Sequence, residues 1–394
     1  MRFLIFAVVF IVYQIKAETL DEVINTALVE SPFLKSYIYQ AQSVEGEIKK
    51  AKSFQNPNLN IEFGRIYSQI DGESGFNITS FSIQQPLRLW GERKFAVSSA
   101  KLKKQAFDSF YQFQKNTLLS NIYKTFYKAL SINYQIKVKK QEISTLENLY
   151  EFLQKSYQLG EITQLDVFRV EKDLNLAKVQ LERLKANYQA QLNTLSALAG
   201  KQIKSVEGNI YSFKEIKDIN ITNLPEIVYL KKQIESINYQ IKRQKALSKP
   251  KISVGFVAGE DEVDLGKYEF GIAVNSTIPV FYRRQGEILT LVNQKKMINQ
   301  KIKQKELEYK ATLKSIKKQI FILKNQLKKV ENKVLPSISE ALKLAEKSYK
   351  LRAITFLDYS TIRQQYYQTL YYKIDLALEI QNLYGDYIKI GGLR

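Results

Sequence analysis

Apolar and polar positions alternate along this chain with two different periods. Over most of the sequence apolar residues return every three or four positions, as on one face of an amphipathic helix. The first long seam comprises Val167, Val170, Leu174, Ala177, Leu181, Leu184, Tyr188, Gln191, Leu195 and Leu198, and the second comprises Tyr309, Leu313, Ile316, Ile320, Leu323, Leu327, Val330 and Val334. These seams predict long helices that pack as coiled coils.

Two helical segments depart from a fully apolar seam. A third seam, from Ile122 to Tyr150, keeps the spacing but includes Lys140 and Glu147, which we expect either to fix register or to face a wet interior. Pro336 follows the last position of the second long seam, Val334, by two residues, and there it removes a backbone donor and crowds the preceding turn. We therefore predict a kink in the helix at Pro336.

Four short stretches alternate with period two and predict two β-hairpins, at about residues 57–87 and 250–279. Pro57, Pro86, Pro250 and Pro279 bound these hairpins and are expected at the junctions between helices and strands. In the second strand the apolar phase changes, so we predict a bulge near Ser80. The acidic stretch "GEDEVDLG" at 259–266 is interpreted as a hairpin loop rather than a calcium site.

The chain is predicted to be a tandem duplication. Residues 157–168 read "YQLGEITQLDVF" and residues 349–360 read "YKLRAITFLDYS", and three pairs of prolines recur at nearly the same offset. The predicted order is a first repeat at 18–200 with a helical tip at about 157–166, an inter-repeat segment at 201–223, and a second repeat at 224–394 with a tip at about 349–358.

Each tip is expected to contain a helix end, a turn and a new helix start. Gly160 suits the left-handed position after a helix, whereas Arg352 occupies the equivalent position, so the second turn is predicted to close differently. A capping box is predicted at each new helix, formed by Thr163 with Asp166 and by Thr355 with Asp358.

Composition narrows the function classes. The net charge is +21, but the lysines are spread along whole helices, which argues against nucleic acid as a partner. The chain has no cysteine and no histidine, so it lacks disulfides, a lipid-modified cysteine and the commonest general base. Without a glycine-rich phosphate loop or a carboxylate cluster, we predict no enzyme activity, no cofactor and no metal site.

The N-terminus indicates export from the cytoplasm. Arg2 precedes an apolar run, and Ala17 closes a stretch that is typical of a secretory signal peptide over residues 1–17. An uncleaved anchor is the alternative. The apolar run is too short for a mature membrane-spanning helix, so any membrane insertion is expected to use the strands.

The order of these features resembles the TolC family of outer-membrane efflux proteins. The resemblance covers nearly the whole mature chain and is carried by "NPNLNIEFG" at 56–64, "QQPLRLWGERKFA" at 84–96, "IPVFYRR" at 278–284 and the two tips. It implies a mainly α fold with four strands per chain, and a homotrimer that builds a twelve-stranded barrel in the outer membrane and a helical tunnel in the periplasm. It also implies a periplasmic adaptor and an inner-membrane transporter as partners.

The resemblance assigns roles to the tips. Leu159, Gly160, Leu351 and Arg352 are predicted to dock the adaptor, although the two leucines could instead only pack their own turns. The function predicted is an exit duct of a tripartite efflux pump. The alternatives are a duct for type I protein secretion and, in another class, a periplasmic coiled-coil adaptor without a barrel.

A pore gate is predicted from Asp166, Arg352 and Asp358. The family resemblance implies that Asp358 lines the narrow periplasmic entrance, with three copies around one axis. Arg352 is expected to pair with Asp166 of the first tip. In the competing interpretation both aspartates only cap helices.

Overall fold

The computed structural model describes residues 17–66, 76–260 and 267–393. Residues 1–16 of the predicted signal peptide, residues 67–75 in the first predicted hairpin and residues 261–266 in the second lie outside these ranges. The elements in chain order are α1 (Leu20–Glu30), α2 (Pro32–Lys52), β1 (Asn58–Ile66), β2 (Phe76–Leu87), α3 (Glu92–Gln158), α4 (Gln164–Ala199), α5 (Pro225–Leu247), β3 (Lys251–Glu260), β4 (Tyr268–Thr277), α6 (Gln285–Lys329), α7 (Leu335–Lys350) and α8 (Phe356–Gly391). The predicted mainly helical chain with four strands is confirmed.

The chain forms two compact units. The strand unit comprises residues 37–112 and 221–308 and contains the sheet, and the helical unit comprises residues up to 36, 113–220 and from 309 onward. Among the described residues, no helix has both the length and the apolarity that crossing a bilayer would require.

The sheet of the strand unit is antiparallel, in the order β1-β2-β3-β4. Its register is regular, since Asn58 pairs with Gln84 and every later residue of β1 steps back by one along β2. Ser80 pairs with Glu62 on one side and with Gly259 on the other. The predicted bulge near Ser80 is therefore wrong, and the change of apolar phase in β2 occurs within an unbroken ladder.

The helical unit buries most of the predicted seam of α6 and the first part of the seam of α4. Near the end of α4 the buried residues are Leu192 and Ala199 instead of the predicted Gln191 and Leu198, and the seam of α3 also needs correction. Lys140 and Glu147 are exposed, whereas Lys139 and Leu146 are buried. The burial pattern therefore runs one residue earlier than predicted at these two positions. A three-or-four spacing leaves the choice between neighbouring residues open, and the packing of the other hairpin decides it.

Pro336 is accommodated by a π-helical turn at Val330–Val334. Here the backbone N–H of Leu335 bonds to the carbonyl of Val330, five residues earlier. The wider turn absorbs the proline, which has no N–H to donate. It also rotates the helix, so that Val334, predicted in the seam, is exposed.

The segment at 201–223 is largely irregular and is fastened to α8. The backbone of Val206 forms a parallel bridge with Glu18. Three side chains spaced by three residues on α8 then bond its carbonyls: the Gln381 amide donates to Ile210 and Ser212, the Tyr384 hydroxyl to Lys214 and the Tyr387 hydroxyl to Lys217. This spacing places all three donors on one face of α8.

Candidate functional site

The two hairpin tips close with the same backbone hydrogen bonds. In the first, the N–H of Gly160 bonds to the carbonyl of Tyr157 at 2.9 Å, and the N–H of Glu161 bonds to Ser156 at 2.9 Å. In the second, the corresponding bonds run from Arg352 to Tyr349 and from Ala353 to Ser348, at 2.9 and 2.8 Å. Both are Schellman motifs. The prediction that the second turn closes differently is wrong.

Arg352 adopts the glycine conformation of the matching turn. Its φ is +62°, close to the +73° of Gly160, although a side chain makes this left-handed region unfavourable by about 1–2 kcal/mol. The Arg352 guanidinium lies 2.9 Å from the Glu161 carboxylate of the first tip. The predicted pairing of Arg352 with Asp166 is therefore wrong, and Asp166 instead lies 3.3 Å from Arg169 on its own helix.

The predicted capping boxes differ between the tips. In the second tip the Thr355 hydroxyl accepts the N–H of Asp358, and the Asp358 carboxylate accepts the Thr355 N–H at 3.2 Å. These bonds from Thr355 hold the pKa of Asp358 below its usual value. In the first tip the Thr163 hydroxyl donates to Asp166 at 3.2 Å and caps no backbone N–H, so the first predicted box is absent.

The tips enclose a cleft of about 600 Å³ between them. Glu161, Asp166 and Arg352 all line it, whereas Asp358 lies outside it. The structure thus brings together two of the three predicted gate residues, and it adds Glu161. Burial and the nearby Asp166 charge raise the pKa of the lining residue Tyr349 to about 12, so this hydroxyl stays protonated at neutral pH.

Both predicted docking leucines point away from their turns. Leu159 is 74% exposed and Leu351 is 70% exposed. Leu357, beside the second turn, is also exposed. Apolar side chains that share one end of a hairpin pair and lack a partner in the chain are typical of an interaction surface.

Buried polar contacts join the two hairpins next to the tips. They involve side chains spaced by four residues on α8. Arg363 pairs with Asp173 of α4 at 3.1 Å, the Tyr367 hydroxyl bonds to Thr145 of α3 at 2.9 Å, and the Tyr371 hydroxyl donates to Glu142 of α3 at 3.4 Å. Lys139 is buried among them, bonding Glu142 at 2.6 Å and Gln180 at 2.8 Å.

Sequence reasoning missed these contacts. The only signal was a run of polar residues in places where a packed helix face normally carries apolar ones. Burial, followed by the Glu142 charge, raises the pKa of Tyr371 well above its usual range. The hydroxyl of Tyr371 therefore remains a donor, and the network holds the hairpins together through hydrogen bonds and ion pairs as well as through apolar contact.

The sheet presents one apolar and one polar face. Residues paired across antiparallel strands share a face, and the exposed apolar set comprises Leu59, Ile61, Phe63, Phe81, Ile83, Val254, Phe256, Phe270, Ile272 and Val274. The opposite face carries Asn58, Asn60, Glu62, Ser80, Ser82, Gln84, Gly255, Glu269, Gly271 and Asn275. Solvent-exposed sheets normally show the polar face outward, so this apolar face indicates a non-aqueous environment.

The four predicted junction prolines lie at strand ends. Pro57 and Pro250 directly precede β1 and β3, Pro86 is the penultimate residue of β2, and Pro279 follows the end of β4 by two residues. Pro86 pairs only with Ser253 of β3, because β1 begins further along the ladder, so its missing N–H breaks no bond to β1.

Beside Pro86, a buried carboxylate fixes the start of α3. Glu92 is held by Arg88 and by Arg243 of α5, the latter at 2.6 Å. Burial disfavours its charge, but hydrogen bonds from Arg88 and Arg243 hold the pKa of Glu92 below its usual value. In the part of the chain that the structure describes, no group of three or more acidic residues, cysteines or histidines is arranged to hold a metal ion.

Comparison with known proteins relates part of the chain to a described family. Residues 23–201 match the family model described as "Outer membrane efflux protein". The match covers slightly less than half of the chain, and over these residues the chain is similar to this family. No curated protein matches the sequence.

Solved structures share the fold over nearly the whole chain. A membrane protein from Pseudomonas aeruginosa is similar with a TM-score of 0.82 at 17% identity, covering 95% of this chain and 90% of that chain. The outer membrane protein VceC of Vibrio cholerae is similar with a TM-score of 0.77 at 15% identity, covering 95% and 97%. The CmeC outer membrane channel of Campylobacter jejuni is similar with a TM-score of 0.73 at 18% identity, covering 95% of this chain and 87% of that chain.

The family and the fold together confirm the predicted class of protein. The protein resides in the outer membrane and extends into the periplasm. The apolar face of its sheet supplies the surface that such a location requires. The assignments of individual gate and docking residues stay predictions.

Proposed function

We propose that this protein is the outer-membrane exit duct of a tripartite efflux pump, and that it passively conducts substrates received from an inner-membrane transporter through a periplasmic adaptor. The observation that carries the proposal is the sheet, which has one apolar face, one polar face and two unpaired edges, β1 and β4. Unpaired edge groups are unfavourable in hydrocarbon, so the sheet must be completed by other strands.

A homotrimer completes the sheet most simply. Three copies of four strands make a twelve-stranded closed barrel with the apolar faces toward lipid and the polar faces toward a lumen. The polar faces carry small and amide side chains beside Glu62 and Glu269, which suits a water-filled passage. A periplasmic adaptor without a barrel, the alternative from another class, would leave the apolar face of the sheet without a purpose.

The tips form the periplasmic entrance in this proposal. Leu159, Gly160, Leu351 and Arg352 dock the adaptor, and their repetition in each chain gives six similar sites around a trimer. The cleft lined by Asp166 and Arg352 lies between the two hairpins of one chain near the entrance, and the two hairpins are linked there. Glu161 strengthens that link through its ion pair with Arg352.

Asp358 supplies the charge of the entrance. Three such carboxylates at roughly 8 Å would repel in pairs by about 2 kcal/mol at an effective dielectric of 20, which favours a bound cation. Its role as a helix cap does not remove this charge, because the capping bonds lower its pKa.

Conductance tests the duct and its gate together. Purified protein in planar bilayers is expected to form cation-preferring channels, and Asp358→Asn is expected to weaken that preference and the block by multivalent cations. Asp166→Asn serves as the matched variant, because Asp166 is bound to Arg169 and should contribute less. Absence of any conductance would refute the duct, and unchanged selectivity in Asp358→Asn would leave Asp358 a helix cap only.

Docking has a separate test. Changing Leu159 and Leu351 to aspartate is expected to abolish export while the yield of trimer stays normal. Leu344→Asp is the control, since Leu344 is exposed on α7 outside the turn. Normal export by the double variant would refute docking through the tips. Co-purification of a protein secretion transporter, rather than a drug or metal transporter, would favour the type I alternative.

A further inference from the structure

Two exposed aromatic patches flank the open edges of the sheet. The post-β4 patch, residues 278–282, follows one edge strand and includes Phe281, which is 97% exposed. The pre-β1 patch, residues 53–57, precedes the other edge strand and includes Phe54, which is 72% exposed. Aromatic side chains are rarely left in water to this extent unless they have a binding partner.

The pre-β1 patch is held rigidly although its ring is exposed. Backbone carbonyls between residues 51 and 55 accept four hydrogen bonds of 2.8–2.9 Å from Arg88, Arg93 and Gln85. The Arg93 guanidinium also lies over the Phe54 ring, 4.4 Å from its centre. One face of the ring is thereby covered by the cation, and the rest of the ring is presented outward.

The post-β4 patch is fixed in the same way. The Tyr282 hydroxyl donates to Glu287 at 2.7 Å and accepts the backbone N–H of Gly286 at 3.1 Å. These bonds attach the patch to the first turn of α6. The Phe281 ring takes no part in them and stays exposed. Both patches are therefore ordered before binding, which lowers the entropy lost when a partner is bound.

The strand directions bring the two patches to the same place in an assembly. When β4 of one copy pairs with β1 of the next in an antiparallel manner, the end of β4 lies beside the start of β1. We propose that the post-β4 patch of each copy packs on the pre-β1 patch of the neighbouring copy, with Phe281 against Phe54. This contact rests on the proposed trimer and adds a specific aromatic clamp to it.

The stagger of the strands supports this register. Asn58, the first residue of β1, lies in the row of Gln84, Gly255 and Ala273, whereas β4 continues four residues past Ala273 to Thr277. Across the sheet, the strand ends on this side therefore shift by about one residue per strand. If the next copy continues this shift beyond Thr277, the first residue of its β1, Asn58, lies beside about position 278. Phe54, four residues earlier, then lies beside about position 282.

A second copy fits these patches better than lipid does. The patches lie beyond the strand ends and at opposite edges of one sheet, so closing the ring of strands brings them together whatever surrounds the ring. A surface that only contacts lipid would be spread over the apolar face instead. Two aromatic rings in contact are favourable beyond the area that they bury, and the contact is repeated three times.

Cross-linking tests the contact directly, because the chain contains no cysteine. The variant Phe54→Cys with Phe281→Cys, treated in its native membrane with a short bismaleimide, is expected to give covalent dimers and trimers on denaturing gels. Each single variant is expected to remain monomeric on the gel. The matched control pairs Phe54→Cys with Tyr268→Cys, since Tyr268 is exposed at the opposite end of β4 and should not cross-link.

The outcomes separate this contact from the duct itself. A protein that is trimeric by light scattering but gives no cross-link between positions 54 and 281 overturns the clamp and leaves the duct intact. A monomeric protein overturns both. Brominated phospholipids report the lipid alternative: in a Trp90→Phe background, which removes the only tryptophan, strong quenching of Phe281→Trp would overturn the clamp, and weak quenching is expected.

Discussion

The ion pair between Arg363 and Asp173 is buried on one side only, and this predicts an asymmetric response to mutation. The Arg363 side chain is 5% exposed, whereas Asp173 is 27% exposed. Arg363 has few other partners: Ser360 lies 3.4 Å away, and one guanidinium nitrogen bonds to nothing in the described part of the chain. Asp173 retains a second cation, Lys172, at 3.1 Å.

Removing the carboxylate should therefore destabilise the hairpin pair far more than removing the guanidinium. Asp173→Ala leaves a buried charge without a counterion, which typically costs about 3–5 kcal/mol. Arg363→Met fills similar space with apolar atoms and leaves Asp173 partly hydrated and paired with Lys172. We expect this variant to cost about 1 kcal/mol or less.

Hydrogen exchange read by mass spectrometry measures the difference. Because about 1.4 kcal/mol changes an equilibrium tenfold, Asp173→Ala should accelerate exchange in the α4 and α8 peptides around the pair by at least about a hundredfold. Peptides of the sheet should be unaffected. Lys172→Met is the control, with an expected loss below about 1 kcal/mol for an exposed pair. Equal effects of Asp173→Ala and Arg363→Met would refute the argument from burial.

Three further predictions concern the second tip. Arg352→Gly should raise the thermal unfolding temperature, because the backbone strain that it relieves, about 1–2 kcal/mol, exceeds the stabilisation by an exposed ion pair, about 0–1 kcal/mol. Arg352→Ala loses the ion pair but keeps the strain, so it should lower the unfolding temperature. Equal unfolding temperatures for the two variants would contradict this prediction. Thr355→Val should cost about 1 kcal/mol, and Thr163→Val close to nothing, because only the second tip has a capping box; equal losses in calorimetry would contradict the geometry. The folded pKa of Asp358 is lowered by its bonds to Thr355, so its contribution to stability is present above the unfolded pKa and is lost as the pH falls through the folded pKa. An advantage of wild type over Asp358→Asn that did not decrease on acidification would contradict the assignment.

Local patterns in the sequence determined the elements and the turn at the first tip. Three-and-four spacing marked α4 and α6, strict alternation marked the strands, and Gly160 marked a left-handed turn. These inferences succeeded because each depends on residues only a few positions apart, and the helix and strand periods follow directly from backbone geometry. The alternation also puts apolar and polar residues on opposite faces of a strand, and the pairing found in the structure keeps each residue on its face across the sheet.

Only the tertiary structure decided which of two adjacent residues on a helix faces the core, and which charged side chains form ion pairs. Lys139 rather than Lys140 is buried, because there it bonds Glu142 of its own helix and Gln180 of α4 and lies over the Tyr371 ring of the facing hairpin. Arg352 reaches Glu161 instead of Asp166 because both turns close identically and bring these two side chains within 2.9 Å. A long charged side chain can reach several candidates that are equivalent in the sequence, and only the position of the other hairpin selects among them. The same holds for β2, where apolar phase suggested a bulge but pairing on both sides kept the ladder regular.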